Sequence, residues 1–351
     1  MFNLETGTGN YFANGLLVHN CHRAKRTTTQ TSRALRAVSD GAKYRYGLTG
    51  TPAPNGPLDI FGSLTFLDPN IIGTSYWTTF KARHAIMGGF ENHEIIGYRD
   101  LATLNAQVAS CSSRVKKEDA LDLPPKTFVT RPCPLSTEQR RIYRQLKEEA
   151  IAIFRRQEKE GTLTVRNILT ETLRLLQVCG GFLPDDEGRM HSLDCGKADV
   201  FEEMLDDFAP DQKVIVWCAF LAEVDAICAR LGGRAVRYDG RSSTIEREDA
   251  IEQFRNGDAQ FFVATPAAGG EGITLTESST VVYYSRDWNL KNYLQSQDRA
   301  HRIGQHHPVT ISNLVVPGTI DARCMQALER KEGEQEAILG KGWRELFEEE
   351  T

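Results

Sequence analysis

Short apolar runs alternating with amphipathic stretches from Lys197 onward predict an α/β protein built on a mostly parallel sheet. Three observations carry this. Val214-Ile215-Val216-Trp217-Cys218 and Phe261-Phe262-Val263-Ala264 are apolar throughout, as strands covered on both faces are. Segments of helical period separate the strands, and a glycine-rich loop follows one of them, at the edge where open α/β sheets bind ligands. With 351 residues, 40% hydrophobic and 25% charged, the chain is long enough for two domains, and disorder and collagen are excluded. It has no apolar run of the ~18 residues that a membrane helix needs.

The chain opens on β-type runs, Phe2 to Thr6, Tyr11-Phe12-Ala13 and Leu16-Leu17-Val18, with Asn14-Gly15 as a hairpin signal between the last two. At Cys21 the composition turns basic. From Cys21 to Gly50 there are seven Arg or Lys against one acid, Asp40, although the formal net charge is -5. A basic helix ending near Asp40-Gly41, a strand over Tyr44 to Leu48 and the loop Thr49-Gly50-Thr51-Pro52-Ala53-Pro54 are expected next, and the apolar Phe61 to Leu67 stretch is expected in the core. Residues 126–190 read as a helical insertion. Ser136-Thr137-Glu138-Gln139 resembles a capping box, Ile142, Leu146, Ile153 and Phe154 recur at helical spacing, and a second helix spans Asn167 to Val178. Strands follow at Val214, Ala235, Phe261, Val281 and Val309, with helices between. The tail from Glu329 carries four Lys or Arg and eight Glu, as a solvated helix does.

Eight scattered cysteines with no C-x-x-C pair signal neither a zinc ribbon nor a disulfide framework, and no metal site is expected in this chain. His306-His307, followed by Pro308, read as a turn rather than as metal ligands. Gly269-Gly270-Glu271-Gly272 either lets a backbone approach phosphate or makes a tight turn. Gln295, Asp298, Arg299, His301, Arg302, Ile303, Gly304 and Gln305 spell Q-x-x-D-R-A-H-R-I-G-Q, with two guanidinium groups three residues apart on a helix.

Together with Thr49-Gly50-Thr51-Pro52, Asp122-Leu123-Pro124-Pro125-Lys126, Asp239-Gly240-Arg241, Arg247 and Asp287-Trp288-Asn289, this run resembles the motor of superfamily 2 helicases, specifically the Swi/Snf-type double-stranded DNA translocases. The resemblance covers Cys21 to about Glu329. It implies two RecA-like lobes that bind ATP with Mg²⁺ between them: part of lobe 1 over 21–125, the helical insertion over 126–190, a complete lobe 2 over 191–329 and a charged tail over 330–351. It further implies that Arg299 and Arg302 are arginine fingers on the γ-phosphate, acting on charge spread over the transferring oxygens. Gly270, Gly272, Gln295 and Asp298 would complete the nucleotide site. Thr49, Thr51, Gly269 and Trp288 would contact DNA, and His22 with Arg23 resembles the end of a D-E-x-H box.

The same family begins with a G-x-x-x-x-G-K-[ST] loop and an Asp-Glu pair, and these 351 residues hold neither. The sequence Asn10-Tyr11-Phe12-Ala13-Asn14-Gly15-Leu16-Leu17-Val18-His19-Asn20-Cys21 instead resembles the C-terminal end of an intein with its first extein residue. That resemblance implies that Cys21 accepts an acyl group, Asn20 cyclises to release residues 1–20, and His19 assists. The sequence lacks the His that many inteins carry before the aromatic pair, having Gly9-Asn10 there. The expectation is a precursor fragment that trans-splices onto an N-intein and N-extein partner carrying the P-loop and ending in Asp-Glu, which rebuilds D-E-C-H. Met1, standing directly before the first run, favours a split gene over a truncated sequence. The motor would act on double-stranded DNA, away from membranes, in the cytoplasm of a bacterium or a phage-infected cell. The alternative is a catalytically decayed, nucleic-acid-binding helicase fragment without splicing. A cysteine hydrolase using Cys21 ranks below both, because nothing supplies an oxyanion hole.

Overall fold

The structure is a computed structural model that describes residues 10–13, 16–19, 29–39, 41–42, 44–47, 53, 56–88, 94–113, 115, 121–163, 165–185, 187–270 and 272–330. The chain divides into two compact units, Met1–Asp119 and Ala120–Thr351.

In the first unit, β1 (Asn10–Ala13) and β2 (Leu16–His19) pair antiparallel with Asn10 opposite His19. This is the hairpin that the Asn-Gly signal predicts, with the turn itself outside the described residues. Helix α1 (Gln30–Ser39) starts behind Thr29, whose Oγ1 accepts from the Ser32 amide at 3.2 Å. Helices α2 (Ile60–Leu67), α3 (Trp77–His84) and α4 (Leu101–Cys111) surround a second hairpin, β3 (Ala85–Gly88) with β4 (Glu94–Tyr98). Their core is Phe61, Leu64, Phe80 and Leu104, with the Phe61 and Phe80 rings 5.0 Å apart, so Phe61 to Leu67 does supply core. The strand expected over Tyr44 to Leu48 is not formed over the described residues 44–47. Tyr44 and Tyr46 are exposed, and Arg45 donates to the Phe66 carbonyl at 3.1 Å, so this segment has side-chain anchorage but no strand partner. Among the described residues the first unit holds antiparallel pairs only, without the parallel sheet expected of its lobe.

The second unit is the α/β body. It runs β5 (Lys126–Pro132), α5 (Thr137–Lys159), α6 (Val165–Cys179), β6 (Phe182–Pro184), β7 (Met190–Ser192), α7 (Gly196–Leu205), β8 (Val214–Trp217), α8 (Leu221–Leu231) and β9 (Ala235–Tyr238). There follow α9 (Thr244–Arg255), β10 (Phe261–Ala264), the single turn α10 (Pro266–Gly269), β11 (Thr280–Tyr283), α11 (Leu290–Ala300), β12 (Val309–Val315) and α12 (Ile320–Glu329). Six strands form one sheet in the order β5-β12-β11-β8-β10-β9, parallel at every pairing. β8, β10 and β11 are buried at every position, which is why their sequences are apolar runs rather than alternating ones.

Ser136 accepts from the Gln139 amide at 3.0 Å and Gln139 Oε1 accepts from the Ser136 amide at 3.1 Å, so the predicted capping box starts α5. The stretch read as a helical insertion, 126–190, opens with strand β5, because residues 126–132 find a parallel partner in β12. Both helices belong to the body. Tyr143, Phe154, Ile168 and Leu175 share one core with Val216, Phe261 and Val281, and Tyr143 Oη accepts from the Ile320 amide at 2.8 Å.

A buried polar cluster ties four elements together at the carboxyl ends of the central strands. Lys197 Nζ lies 3.0 Å from Asp321 Oδ2, with both side chains 1% exposed, and Arg286 lies 3.4 Å from Asp321 Oδ1. Arg286 also donates to the Leu314 carbonyl at 2.6 Å, and Asp321 Oδ2 accepts from the Val316 amide at 2.9 Å. Glu223 completes the cluster. Its Oε2 accepts from the Ser285 hydroxyl and from the Phe220 amide at 3.2 Å, while Oε1 is buried without a partner.

Burial pushes the Glu223 carboxyl up to about 7, against the pull of Lys197 and the Ser285 hydroxyl. A carboxyl raised above its unfolded value contributes stability that is full at low pH and lost as pH rises toward 7. Denaturation midpoints of Glu223→Gln should therefore lack a pH-dependent loss, on the order of 1–3 kcal/mol between pH 5 and 7.5, that the unsubstituted chain shows. Equal pH slopes in the two proteins would refute this assignment.

Candidate functional site

The candidate site gathers at the end of α11 and at the glycine turn after β10. Helix α11 begins at Asn289, whose Oδ1 accepts from the Asn292 amide at 3.1 Å, while Asp287 accepts from the Asn289 amide at 3.1 Å. Asp287-Trp288-Asn289 thus acts locally as a helix start. The Asp287 carboxyl is raised by burial, against its hydrogen bonds from Asn289 and Asn292. Trp288, expected to grip DNA, has its ring packed in the core at 5% exposure. In this position it offers no surface to a phosphate backbone.

The two arginines of the motif separate in role. Arg299 is buried, donating from Nη1 to the Ile273 carbonyl at 2.8 Å and from Nε to the Gln295 carbonyl at 3.0 Å. Its own carbonyl accepts from the Leu275 amide at 2.9 Å. It therefore stitches α11 to the segment after the glycine loop. Arg302 lies just beyond the helix, half-buried, and its guanidinium has no partner among the described residues. Asp298 and Gln295 lie on the same helix, both half-buried. The chain turns back at Gly304 with φ +101°, a conformation that L side chains rarely adopt. Gln305 then fixes the turn by donating to the Ser278 carbonyl at 2.9 Å and to those of Thr276 and Ala300 at 3.2 Å each.

The glycine run is explained by packing. A Cβ on Gly269 would meet the Trp217 ring at 2.7 Å, one on Gly270 would meet the Pro266 carbonyl oxygen at 2.3 Å, and Gly272 has φ +82°. The amides of Gly269 and Gly270 already donate to the Thr265 and Pro266 carbonyls at 2.9 and 2.8 Å. They are thus occupied within their own turn rather than open to an anion, and the tight-turn alternative describes them.

Asp239-Gly240-Arg241 forms an ion network that the sequence did not reveal. Arg241 bridges Asp239 at 2.7 Å and Asp225 at 2.8 Å, and Arg237 reaches Asp225 at 2.7 Å. The Arg241 hydrogen bonds hold both carboxyls below their usual range. Arg247 stacks 5.4 Å over the Tyr238 ring and donates to the Asp239 carbonyl at 3.0 Å. Sequence inspection also missed the contacts of Gln297 and His301. Lys126 Nζ donates to Gln297 Oε1 at 3.0 Å, and His301 Nε2 donates to the Pro124 carbonyl at 2.8 Å. No local signal marked these contacts, because the partners lie 171 and 177 positions apart in the chain.

Asn20, Cys21, His22, Thr49 and Thr51 lie outside the described residues, and His19 ends β2 with its side chain likewise undescribed. Among the described residues, no group of three or more His, Cys, Asp or Glu side chains could hold a metal ion.

Residues 9–181 match the family model described as the SNF2-related domain, and residues 196–304 match the helicase conserved C-terminal domain. The human SWI/SNF-related matrix-associated actin-dependent regulator of chromatin subfamily A member 1 is 27% identical over 330 residues, which covers 90% of this chain and 31% of the relative. The CHD3-type chromatin-remodeling factor PICKLE of Arabidopsis thaliana is 28% identical over 347 residues, covering 93% of this chain and 24% of the relative. The chain thus spans 24–31% of the length of these relatives. Among solved structures, the Sulfolobus solfataricus SWI2/SNF2 ATPase core in complex with dsDNA superposes with TM-score 0.50 at 24% identity, over 95% of this chain and 72% of that one. The same organism's core domain without DNA gives TM-score 0.50 at 25% identity, over 93% and 69%.

The division between the arginines has a measurable consequence. Arg299→Ala leaves the buried Ile273 carbonyl unpaired and should cost about 2–4 kcal/mol in chemical denaturation, whereas Arg302→Ala should stay within ~0.5 kcal/mol. Equal costs would show that the two side chains are not divided in this way.

Proposed function

We propose, from the homology of this chain to the Swi/Snf-type ATPases of superfamily 2, that it supplies the second lobe and the distal part of the first lobe of an ATP-driven translocase on double-stranded DNA. The observation that carries this is Arg302. It is an unpartnered guanidinium, among the described residues, just beyond a helix whose buried Arg299 donates to the Ile273 and Gln295 carbonyls. ATP with Mg²⁺, when bound, supplies the phosphoryl group whose transfer to water drives movement. Arg302 would hold the negative charge on the γ-phosphate oxygens, a role that needs a positioned donor and no reorganisation. Arg299 then holds Arg302's helix in place rather than touching the nucleotide. Among the described residues the nucleotide would be met at this one arginine, and no group of three or more His, Cys, Asp or Glu side chains gathers to hold Mg²⁺. The P-loop and the Asp-Glu pair must come from a partner fragment or from residues upstream of this sequence. Thr49 and Thr51 remain the proposed DNA contacts of the first lobe.

The finer reading concerns residues 1–20, which we assign to the C-terminal segment of an intein. Cys21 Sγ takes the acyl group of the upstream fragment's last residue as that residue's bond to the N-intein breaks. The Asn20 side-chain nitrogen then attacks its own backbone carbonyl, and the Asn20–Cys21 bond breaks to leave residues 1–20 ending in a succinimide. The freed Cys21 α-amine takes the acyl group from sulfur as an amide. His19 donates the proton to the leaving amide. This joins Asp-Glu to Cys21-His22. The paired strands β1 and β2 bring His19 opposite Asn10 at the hairpin's open end. A second reading has its own support. The SNF2-related match begins at residue 9, inside the proposed intein segment, as it would if β2 were a native strand and His19-Asn20 stood in place of Asp-Glu in a decayed box. We place the protein in the cytoplasm of a bacterium or phage-infected cell, where seven unpaired cysteines among the described residues are stable.

Intact-mass spectrometry separates the two readings. Mixed with an upstream fragment bearing an N-intein, a P-loop and a terminal Asp-Glu, the chain should yield a ligated product lacking residues 1–20, absent with Asn20→Ala and with Cys21→Ala. The ligated product should hydrolyse ATP in response to duplex DNA, and Arg302→Ala should reduce that rate about 10³-fold. Absence of ligation with a folded partner selects the decayed fragment, while ligation without any DNA-stimulated hydrolysis refutes the motor reading.

A further inference from the structure

The segment that leads into the α/β body is pinned to the same helix end that presents Arg302. Pro124 and Pro125 have fixed φ and no N–H, so their carbonyls are the only backbone hydrogen-bonding groups they offer, and both are engaged. Pro124 accepts from His301 Nε2 at 2.8 Å, and Pro125 accepts from the Val309 amide at 3.0 Å. The following Lys126 adds its ammonium to Gln297 Oε1 at 3.0 Å, one helical turn before His301 on the same face of α11. Two contacts therefore hold this two-proline strut against the end of α11, and the third ties it to the start of β12. His301 is the C-cap of that helix, and Arg302 is the next residue in the chain. His301 is itself buried, at 9% exposure, so its imidazole is held within the protein rather than open to a ligand.

We propose that His301 is a positioning residue for Arg302. By donating to the Pro124 carbonyl it ties the two-proline strut to the arginine-bearing turn and so fixes where the Arg302 guanidinium stands. The inference rests on the reading of Arg302 as the residue that meets the phosphate. His301 does not touch nucleotide. It fixes where the backbone of residue 302 stands, and a donor of similar reach at position 301 serves equally, because the accepting carbonyl needs only one N–H.

The test uses the motor assembled from the full chain and an upstream fragment carrying the P-loop and Asp-Glu pair, with ATPase read at saturating linear duplex DNA. His301→Leu should lower kcat at least tenfold while KM for ATP and duplex affinity change less than twofold. His301→Gln, which keeps an N–H donor, should recover most of kcat. Hydrogen exchange at the Val309 amide should accelerate in His301→Leu and not in His301→Gln. Should His301→Leu fold poorly, replacing Pro124 and Pro125 by glycine softens the strut with His301 intact, and the same selective loss of kcat is expected. Wild-type kcat in His301→Leu, with Arg302→Ala inactive, would overturn the positioning role and leave the Arg302 reading standing. Wild-type kcat in Arg302→Ala would overturn that reading and this inference with it.

Discussion

The α/β body depends on one buried ion pair. Lys197 on α7 and Asp321 on α12 meet at 3.0 Å with almost no exposure, and Arg286 joins them from the end of β11. Charges taken this far from water are tolerated only when each is paired and hydrogen-bonded, so the cluster forces three elements distant in sequence into one register. Burial alone would raise the Asp321 carboxyl, and the two cations hold it below its ordinary range. Losing one partner would strand the others in a dry environment, a cost usually put at ~3–5 kcal/mol. The central strands therefore end at a fixed level, and the turns that carry the candidate site start from a rigid floor.

From that floor the chain divides labour between neighbours that look alike in sequence. Arg299 and Arg302 differ by three positions, yet one satisfies buried carbonyls and the other has no partner among the described residues. The glycines of the 269–272 turn divide similarly. Each is required, but the reasons are an indole ring, a carbonyl oxygen and a positive φ, all local to the protein. A residue can thus match a functional pattern and owe its identity to packing. Only the partners of its polar atoms distinguish the two.

Much of the fold was legible in the sequence. The buried strands β8, β10 and β11 were recognisable because parallel strands covered on both faces must be apolar throughout. The start of α5 was recognisable because a capping box is a local device, complete within four residues. Strand β5 was not, since it alternates weakly and exists because β12 offers an edge. The segment 44–47 failed for the converse reason: its composition suits a strand, and no strand partner meets it. The first unit's intermingled helices and hairpins carry no period long enough to announce their arrangement.

The sequence by itself determined the α/β class of the second unit, its order of elements and the motif that marks the candidate site, because periodicity, caps and motif spacing are properties of adjacent residues. The tertiary structure decided which member of a motif is available. Arg302 is open among the described residues while Arg299 is engaged, Trp288 is core, and His301 holds a proline carbonyl 177 positions away in the chain. Those outcomes depend on which carbonyl, ring or carboxylate folding brings within hydrogen-bonding distance, and no local pattern encodes a partner so remote.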